Sequence, residues 1–368
     1  MILLKAKRDA LLAPLSAVSG IIERRHTLPI LSNVLLERGE GKLSFLATDI
    51  EVQIRASSDL DASNDAHAIT VGARKLIDIL RALPEDAEVT LQMQDKRMLV
   101  KAGRSRFVLQ TLPAEDFPRL ARPLGEPVRF ALPQKDLKRL LGLVQYAMAQ
   151  QDIRYYLNGL LMVVDAGQLR LVATDGHRLS YAAVALNGSL PRQEVIVPRK
   201  TVIELAKLLG DGDEEVRIEL SSSQAAFSFG SIELVSKLVD GKFPDYTRVI
   251  PTGHKNTITL QRESLRQALL RAAILSNEKF RGVRWVLSAE SLKIVTSNAE
   301  QEEAEETLEI QYPGDALDIG FNVNYLLDVL NNVAGSELQC SFGDAASSAL
   351  ITLPSEPDFK YVVMPMRI

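Results

Sequence analysis

Apolar and polar positions recur in the same arrangement in three successive stretches of the 368-residue chain, about 125 residues apart. Each stretch opens with apolar residues at positions i, i+3, i+4 and i+7 and with Lys and Arg on the opposite face. These segments span residues 3–22, 130–148 and 258–275. The spacing predicts an amphipathic helix at the start of each stretch.

A second recurring feature is a pair of predicted strands joined at a Thr or Ser followed by Asp or Asn. In the run before each step every second residue is apolar, which is typical of a half-buried strand. The three steps are Thr48-Asp49, Thr174-Asp175 and Ser297-Asn298. A predicted strand, helix and strand then follow in each stretch.

These features together predict an α+β fold of three similar domains, each with two helices packed on about eight strands of antiparallel sheet. A repeat of about 125 residues has the size of a small domain. The predicted domain boundaries fall at two segments rich in Pro and Gly, "RPLGEPVRF" and "VIPTGHKNTI". We expect domains at residues 1–125, 126–251 and 252–368.

Composition narrows the class of protein. Hydrophobic residues make up 46% of the chain and charged residues 24%, and no apolar run approaches the roughly 20 residues of a membrane span. The N-terminus lacks the layout of a signal peptide, and the single Cys340 excludes an internal disulfide. We therefore expect a soluble protein of the reducing cytoplasm, with no membrane partner.

Histidine spacing argues against a metal site. The four histidines are His26, His67, His177 and His254, and no two have the spacing that puts two ligands on one helix face. We expect neither a metal nor a cofactor.

The net charge of −4 and the pI near 5.8 are the opposite of the basic surface that grips nucleic acid by bulk electrostatics. Aromatic residues, at 5%, are too sparse for a platform that stacks single strands. Any role on DNA must depend on where the positive charges lie.

The segment "LVATDGHRLSYA" places Asp175, His177 and Arg178 within four positions. A catalytic acid/base pair is one interpretation. The first stretch keeps Ala-Thr-Asp without the histidine, which favours a turn in which Asp175 bonds to its own backbone and Gly176 completes a hairpin. His177 is then a packed histidine or part of a binding surface.

Eight segments across the whole chain resemble the β subunit of bacterial DNA polymerase III, the sliding clamp. They are "TLPILSN", "QDIRYYLNG", "VATDGHRLS", "GKFPDYTRVIP", "SNEKFRGVRW", "QEEAEE", "GFNVNYLLDVL" and "YVVMPMR". The resemblance implies a head-to-tail homodimer that closes as a ring around duplex DNA, with helices lining the hole and sheets outside. It implies a processivity factor without catalytic residues.

The resemblance also implies three sets of site residues. The DNA contacts would be Arg25, Gln151, Tyr155 and Tyr156, the two tyrosines having core packing as an equal alternative. The dimer interface would consist of Lys75, Arg104, Arg106, Phe107 and Leu109 against Ile274, Leu275, Glu300, Glu302, Glu303 and Glu306. A peptide-binding cleft would consist of Leu157, Thr174, Gly176, His177, Arg178, Leu179, Pro244, Arg248, Val249, Asn322, Tyr325, Val362, Val363, Met364, Pro365, Met366 and Arg367.

The lining of the hole would carry positive charge, although solvated helix faces account for many such residues. The expected cations are Lys5, Lys7, Arg8, Arg74, Lys75, Arg81, Lys135, Lys138, Arg139, Arg199, Lys200, Lys207, Arg262, Arg266 and Arg271.

Expected partners in the cleft are the polymerase III α subunit, the clamp loader δ subunit, translesion polymerases, mismatch repair proteins and ligase. Two other classes of protein stay open on the residues alone. One is a hydrolase that uses Asp175 and His177, although no nucleophile elbow or phosphate loop accompanies them. The other is a repeat scaffold that binds peptides and never DNA, which the acidic pI would suit.

Overall fold

The computed structural model describes residues 2–23, 28–39, 41–59, 66–121 and 125–368. Within these residues the same order of elements occurs three times: a strand, a helix, four strands, a helix and three strands. Each set thus has the two helices and eight strands that the repeat predicted.

The first set comprises β1 Ile2–Lys7, α1 Arg8–Val18, β2 Asn33–Gly39, β3 Lys42–Thr48, β4 Val52–Asp59, β5 His67–Gly72, α2 Ala73–Ala82, β6 Glu88–Gln94, β7 Arg97–Ala102 and β8 Ser105–Leu112. The second comprises β9 Val128–Pro133, α3 Gln134–Val144, β10 Gly159–Asp165, β11 Gln168–Thr174, β12 Arg178–Ala185, β13 Gln193–Pro198, α4 Arg199–Leu208, β14 Glu215–Leu220, β15 Gln224–Phe229 and β16 Ile232–Lys237. The third comprises β17 Asn256–Gln261, α5 Arg262–Ala273, β18 Gly282–Leu287, β19 Ser291–Ser297, β20 Glu303–Glu309, β21 Leu317–Asn322, α6 Val323–Asn332, β22 Glu337–Phe342, β23 Ala349–Leu353 and β24 Glu356–Val363.

The described strands form three antiparallel sheets in two compact units. The unit of Met1–Lys135 and Ile203–Leu238 contains a twelve-stranded sheet in the order β1-β6-β7-β8-β5-β2-β3-β4-β16-β15-β14-β9. The unit of Asp136–Val202 and Val239–Ile368 contains an eight-stranded sheet, β13-β10-β11-β12-β24-β23-β22-β17, and a four-stranded sheet, β20-β19-β18-β21. The α+β class is confirmed, and the boundaries near residues 125 and 251 stay a prediction.

The helices bury the faces that the sequence pattern predicted. In α2 the buried residues are Ala73, Leu76, Ile77 and Leu80, which follow the i, i+3, i+4, i+7 spacing. The same spacing recurs in α5, which packs against α6 and against β19 and β20. The helices therefore cover one face of the sheets. None of the helices in the described ranges is long and apolar enough to cross a membrane.

The predicted start of the first helix in each stretch was wrong. Residues before α1, α3 and α5 form the strands β1, β9 and β17. Lys5 and Lys7 consequently belong to a strand, not to a helix face. The six residues "ILLKAK" fit both periods, and pairing with β6 decides in favour of the strand.

The Asp/Asn step closes the strand pairs by local hydrogen bonds, as the turn interpretation predicted. Thr48 Oγ1 donates to the Val52 carbonyl at 2.9 Å, and Asp49 Oδ1 accepts from the N–H groups of Glu51 and Val52 at 2.9 and 2.7 Å. In the third set Asn298 Oδ1 accepts from two backbone N–H groups in the same way. The step is therefore a scaffold feature.

In two sets an arginine at the start of the first helix bonds to backbone carbonyls at the end of the second helix. Arg8 Nη1 donates to the Leu83 carbonyl at 3.1 Å. Arg262 Nη1 donates to the Leu330 carbonyl in the last turn of α6 at 2.9 Å, and its Nε donates to the Gly335 carbonyl in the loop after α6 at 2.9 Å. Helix ends leave such carbonyls without an intrahelical partner. These two arginines join helices, so they differ from the free cations that the sequence suggested.

Replacing Arg262 with Met keeps most of the side-chain length but removes both donors. Hydrogen bonds from a charged donor contribute about 1.5–3 kcal/mol, so amides at the end of α6 should exchange roughly ten to a hundred times faster. The control is Arg266→Met, since that guanidinium bonds to the exposed Glu263 side chain at 2.8 Å and surface pairs contribute little. Equal exchange in the two variants, measured by mass spectrometry, would contradict the role of Arg262.

Candidate functional site

A cavity of about 460 Å³ opens on the surface of the unit formed by Asp136–Val202 and Val239–Ile368. Its walls come from the turn between β11 and β12, the segment before β10, the segment around Pro244 and the C-terminal tail. The lining residues are Arg154, Tyr156, Leu157, Thr174, Gly176, His177, Arg178, Leu179, Phe243, Pro244, Tyr246, Arg248, Val249, Ser348, Val362 and Met364.

The floor of this cleft is preformed and apolar. Leu157, Leu179, Phe243 and Val362 belong to one buried cluster that extends into the sheet. The rim is different, because Val249 and Met364 expose 42% and 46% of their surfaces. A fixed floor with exposed apolar rims is suited to an apolar ligand.

One wall is the turn between β11 and β12, which the sequence builds locally. Thr174 Oγ1 donates to the Arg178 carbonyl at 2.6 Å, and Asp175 Oδ1 accepts from the N–H groups of His177 and Arg178 at 2.9 and 3.1 Å. Gly176 has a φ of +90°, a conformation that side-chain-bearing residues rarely adopt. The turn therefore has one shape, and it presents His177 to the cleft.

Arg178 is the charged centre behind this wall. Its side chain is only 9% exposed and bonds to Asp175 Oδ2 at 3.1 Å, Asp328 Oδ2 at 2.5 Å and the Tyr146 carbonyl at 2.7 Å. The guanidinium also lies 4.5 Å from the centre of the Tyr325 ring. Burial opposes its charge, but the acidic groups around it outweigh burial and hold the pKa of Arg178 above its usual range.

The geometry does not support an acid/base pair of Asp175 and His177. Both carboxylate oxygens of Asp175 are bonded, one to backbone N–H groups and the other to Arg178 Nε. The His177 ring instead stacks on Tyr325, with centroids 6.5 Å apart. Asp175 is therefore a structural residue, as the first stretch of the sequence indicated.

Arg154 lies on the rim beside this turn and was not among the predicted cleft residues. Its guanidinium donates to both Asp152 oxygens at 3.1 and 2.8 Å and to the Asp175 carbonyl at 3.2 Å. These bonds, with the backbone N–H of Arg154, lower the pKa of Asp152 to about 2. A Cβ atom on Gly176 would lie 2.9 Å from Arg154 Nη1, so glycine also makes room here.

The C-terminal tail forms the last wall. The N–H of Met364 donates to the His177 carbonyl at 2.9 Å and continues the pairing of β24 with β12. Past Pro365, which has no N–H, the N–H of Met366 donates to the Gly320 carbonyl at 2.9 Å. The tail thus leaves the eight-stranded sheet at the end of β24 and reaches β21 of the four-stranded sheet.

Eleven of the predicted cleft residues lie around this one cavity. The other six do not line it. Val363 is fully buried in β24, and Asn322 caps α6 by accepting from the Asn324 N–H. Tyr325 packs behind His177 and lines a neighbouring cavity, while Pro365, Met366 and Arg367 run past the opening toward β21.

Several lining residues were absent from the prediction. Phe243 and Tyr246 flank the predicted Pro244 in "KFPDYTR", so the repeated Phe-Pro step was a usable signal. Tyr156, which the resemblance assigned to DNA, lines the cleft and packs on its buried cluster. Ser348 joins the site through a loop after β22, and nothing in the local sequence marks it.

The remaining predicted DNA contacts occupy one loop or lie outside the described residues. Arg25 falls outside them. Gln151 has a φ of +56°, and Tyr155 is 57% exposed beside Tyr156, with ring centroids 5.9 Å apart.

The predicted interface residues are divided between the two compact units. Ile274 is 76% exposed after α5, whereas Leu109 of β8 is buried within its own unit. Glu306 is already engaged, since Arg271 donates to its two oxygens at 2.7 and 2.6 Å and lowers its pKa. The other charged candidates, Lys75, Arg104, Arg106, Glu300, Glu302 and Glu303, are exposed.

Comparison with known proteins explains the repeat. Family models of the DNA polymerase III beta subunit match three successive segments: the N-terminal domain over residues 2–121, the central domain over 131–245 and the C-terminal domain over 247–367.

Individual relatives agree. The beta sliding clamp of Pseudomonas aeruginosa is 49% identical over 365 residues, which cover 98% of this chain and 99% of the relative. The crystal structure of the DNA polymerase III subunit beta from Pseudomonas aeruginosa has a TM-score of 0.96 at 48% identity, and Caulobacter crescentus pol III beta has 0.93 at 40%, each covering 100% of both chains. This chain belongs to the family of the DNA polymerase III beta subunit, the bacterial sliding clamp.

Proposed function

We propose that two copies of this chain close head to tail into a ring around duplex DNA, and that the cleft of each copy tethers the replication and repair proteins that work there. As a sliding clamp, the chain is a non-catalytic subunit of the polymerase. Its acidic pI then describes the whole surface, while the contact with DNA depends on local charge.

The pairing of strand edges between sets is the observation that carries the ring. The fourth strand of the first set, β4, pairs with the eighth strand of the second, β16. The fourth strand of the second set, β12, pairs with the eighth of the third, β24.

In both cases the fourth strand of one set pairs with the eighth strand of the next set. This leaves two strands without such a pair: the eighth strand of the first set, β8, and the fourth strand of the third set, β20. In the described residues β20, the fourth strand of the third set, has an unpaired outer edge, and β8 pairs with β5 only through Thr111 and Leu112. The missing pair is therefore β20 of one copy with β8 of another, a heterologous contact that closes when made twice.

The side chains near these two edges are complementary. Val108 and Ile274 expose 39% and 76% of their surfaces, and Phe107 lies half-buried beside Val108. Arg106 precedes Phe107 on β8 and Arg104 lies just before the strand, while Glu303 begins β20 and Glu302 lies just before it. We infer that apolar burial supplies most of the affinity and that opposite charges fix the register.

The proposed contact with DNA is weak and mobile. Seven of the expected cations form ion pairs with carboxylates of the same chain: Lys5, Arg8, Lys135, Arg139, Lys207, Arg266 and Arg271. Others, such as Arg74 and Arg81 on α2, are exposed. A mildly positive lining lets the duplex slide, so retention comes from topology, with Arg25, Gln151, Tyr155 and Tyr156 as local contacts.

The cleft supports a peptide ligand. Its floor is apolar, and among the described residues that line it the charged side chains are arginines, with no carboxylate. An apolar peptide fits this lining, since Arg154, Arg178 and Arg248 are each paired with an aspartate of the same chain. The polymerase α subunit, the clamp loader δ subunit, translesion polymerases, mismatch repair proteins and ligase are the proposed partners. Tethering to a ring raises the effective concentration of each at the DNA.

A loading experiment tests the ring. After incubation with clamp loader and ATP, the protein should co-elute with nicked circular duplex in 0.5 M salt, because a closed ring does not depend on screened charges. Cutting the circle with a restriction enzyme should release the protein. Release from the intact circle at that salt concentration would contradict encirclement.

The variant Ile274→Ala with Leu275→Ala should separate the copies. Each burial of such a side chain contributes roughly 1.5–3 kcal/mol, so the dissociation constant should rise about a hundredfold or more. Sedimentation should then give 40.6 kDa, the mass of one chain, where the parent protein gives twice that value. Ile153→Ala, at a residue 96% exposed outside the interface, is the control. An unchanged dimer would exclude this interface.

Deleting the last five residues, 364–368, should abolish partner binding because it removes one wall of the cleft. Loss of the apolar contacts of this wall, at about 2 kcal/mol or more, corresponds to binding weakened at least thirtyfold. Surface plasmon resonance with the polymerase α subunit measures this loss, and sedimentation should show an unchanged dimer. Met364→Leu keeps an apolar wall and should bind nearly normally. Full binding after the deletion would refute the cleft.

A further inference from the structure

The last residue of the chain lies against two glycines on one face of the four-stranded sheet. Gly282 of β18 pairs with Asn322 of β21, and Arg284 pairs with Gly320. Because side chains two residues apart share a face, both glycines are on the same face of adjacent strands. They leave a slot, and Ile368 occupies it.

The two glycines provide space, not backbone freedom. A Cβ atom on Gly282 would lie 3.2 Å from Ile368 Cδ1. A Cβ atom on Gly320 would lie 2.7 Å from the same atom and 2.5 Å from the Met366 carbonyl oxygen. Neither glycine has a positive φ, so other residues could adopt the backbone conformation. The position of the tail is therefore what requires glycine.

The slot is one of three attachments that hold the tail beyond β24. The other two are the hydrogen bonds from Met364 to His177 and from Met366 to Gly320. About two thirds of the Ile368 surface remains exposed, so it contacts the protein through one side only. Without that contact the final residues would have one hydrogen bond to oppose the roughly 1–2 kcal/mol per residue of backbone ordering.

We propose that Ile368 is a positioning residue for the cleft: by docking in the slot of Gly282 and Gly320 it fixes the tail, and with it Met364, in the shape that receives a partner peptide. This inference rests on the proposed peptide-binding function. Ile368 does not line the cleft and need not touch the peptide. Its effect is preorganisation, because a loose tail must be ordered again each time a partner binds.

Removal of Ile368 alone should weaken binding of the polymerase α subunit about three- to tenfold in surface plasmon resonance, the loss expected for one unfixed side chain and its neighbours. Ile368→Asp should act in the same way, and Ile368→Leu should restore most of the affinity. Amide exchange at Met364 and Met366 should rise in the weakened variants while the dimer persists. If the chain without Ile368 and the Ile368→Asp variant both bind the α subunit with unchanged affinity, the proposal is overturned.

A double-mutant cycle separates the slot from general damage. Gly282→Ala should weaken binding by a small factor in the complete chain, because its methyl group would lie 3.2 Å from Ile368 Cδ1 and Ile368 must shift to relieve that contact. In the chain without Ile368, the same substitution should have no further effect. Equal effects in both backgrounds would show that Gly282 acts without Ile368 and would reject the slot.

A cleft variant distinguishes this proposal from the function on which it rests. Val249→Asp places a carboxylate on the rim, where Val249 is 42% exposed. If it abolishes α-subunit binding while the Ile368 variants bind normally, the cleft stands and the positioning role fails. If Val249→Asp binds normally, the peptide-binding function itself fails.

Discussion

The pairing of sheet edges is the constraint on which the rest of this structure depends. An exposed strand edge presents unpaired backbone donors and acceptors, which attract another strand. This chain satisfies two such edges internally, β4 with β16 and β12 with β24, and does so with the same two positions of the repeat. The same two positions of the repeat are left without this pair in β20 and β8, and in the proposed ring a second copy supplies it. In that ring, assembly and fold follow one rule.

The same pairing creates the cleft. Because β24 pairs with β12, the residues after Val363 are held beside the turn that carries His177. The floor below them belongs to a buried cluster that would exist without any ligand. Binding therefore requires little rearrangement of the floor, and the adjustable parts are the exposed rim and the tail.

Arg178 illustrates how charge is used in this protein. Its guanidinium has partners on three separate segments and is almost buried, so it is a structural element of the wall and not a free anchor for a ligand. Removing both carboxylate partners, Asp175 and Asp328, would leave this buried group with an uncompensated charge. The exposed cations on α2 have the opposite character, because salt screens an exposed charge far more than a buried one.

The sequence by itself determined the threefold repeat, the α+β class, the helix faces and the Thr-Asp turns, since these depend on periodicity and on bonds between residues at most four positions apart. The resemblance of eight segments also indicated most of the cleft. The sequence could not separate the helix starts from β1, β9 and β17, because short runs fit both periods.

Tertiary structure alone decided what depends on distant contacts. The bond between Arg178 and Asp328 spans 150 positions, and Arg154, Ser348 and Gly320 reach the site or the tail from unrelated segments. No local pattern encodes which strand edge stays open or which glycine faces Ile368. The open strand edges and the slot for Ile368 exist only once the sheets have formed, because both depend on which strands become neighbours.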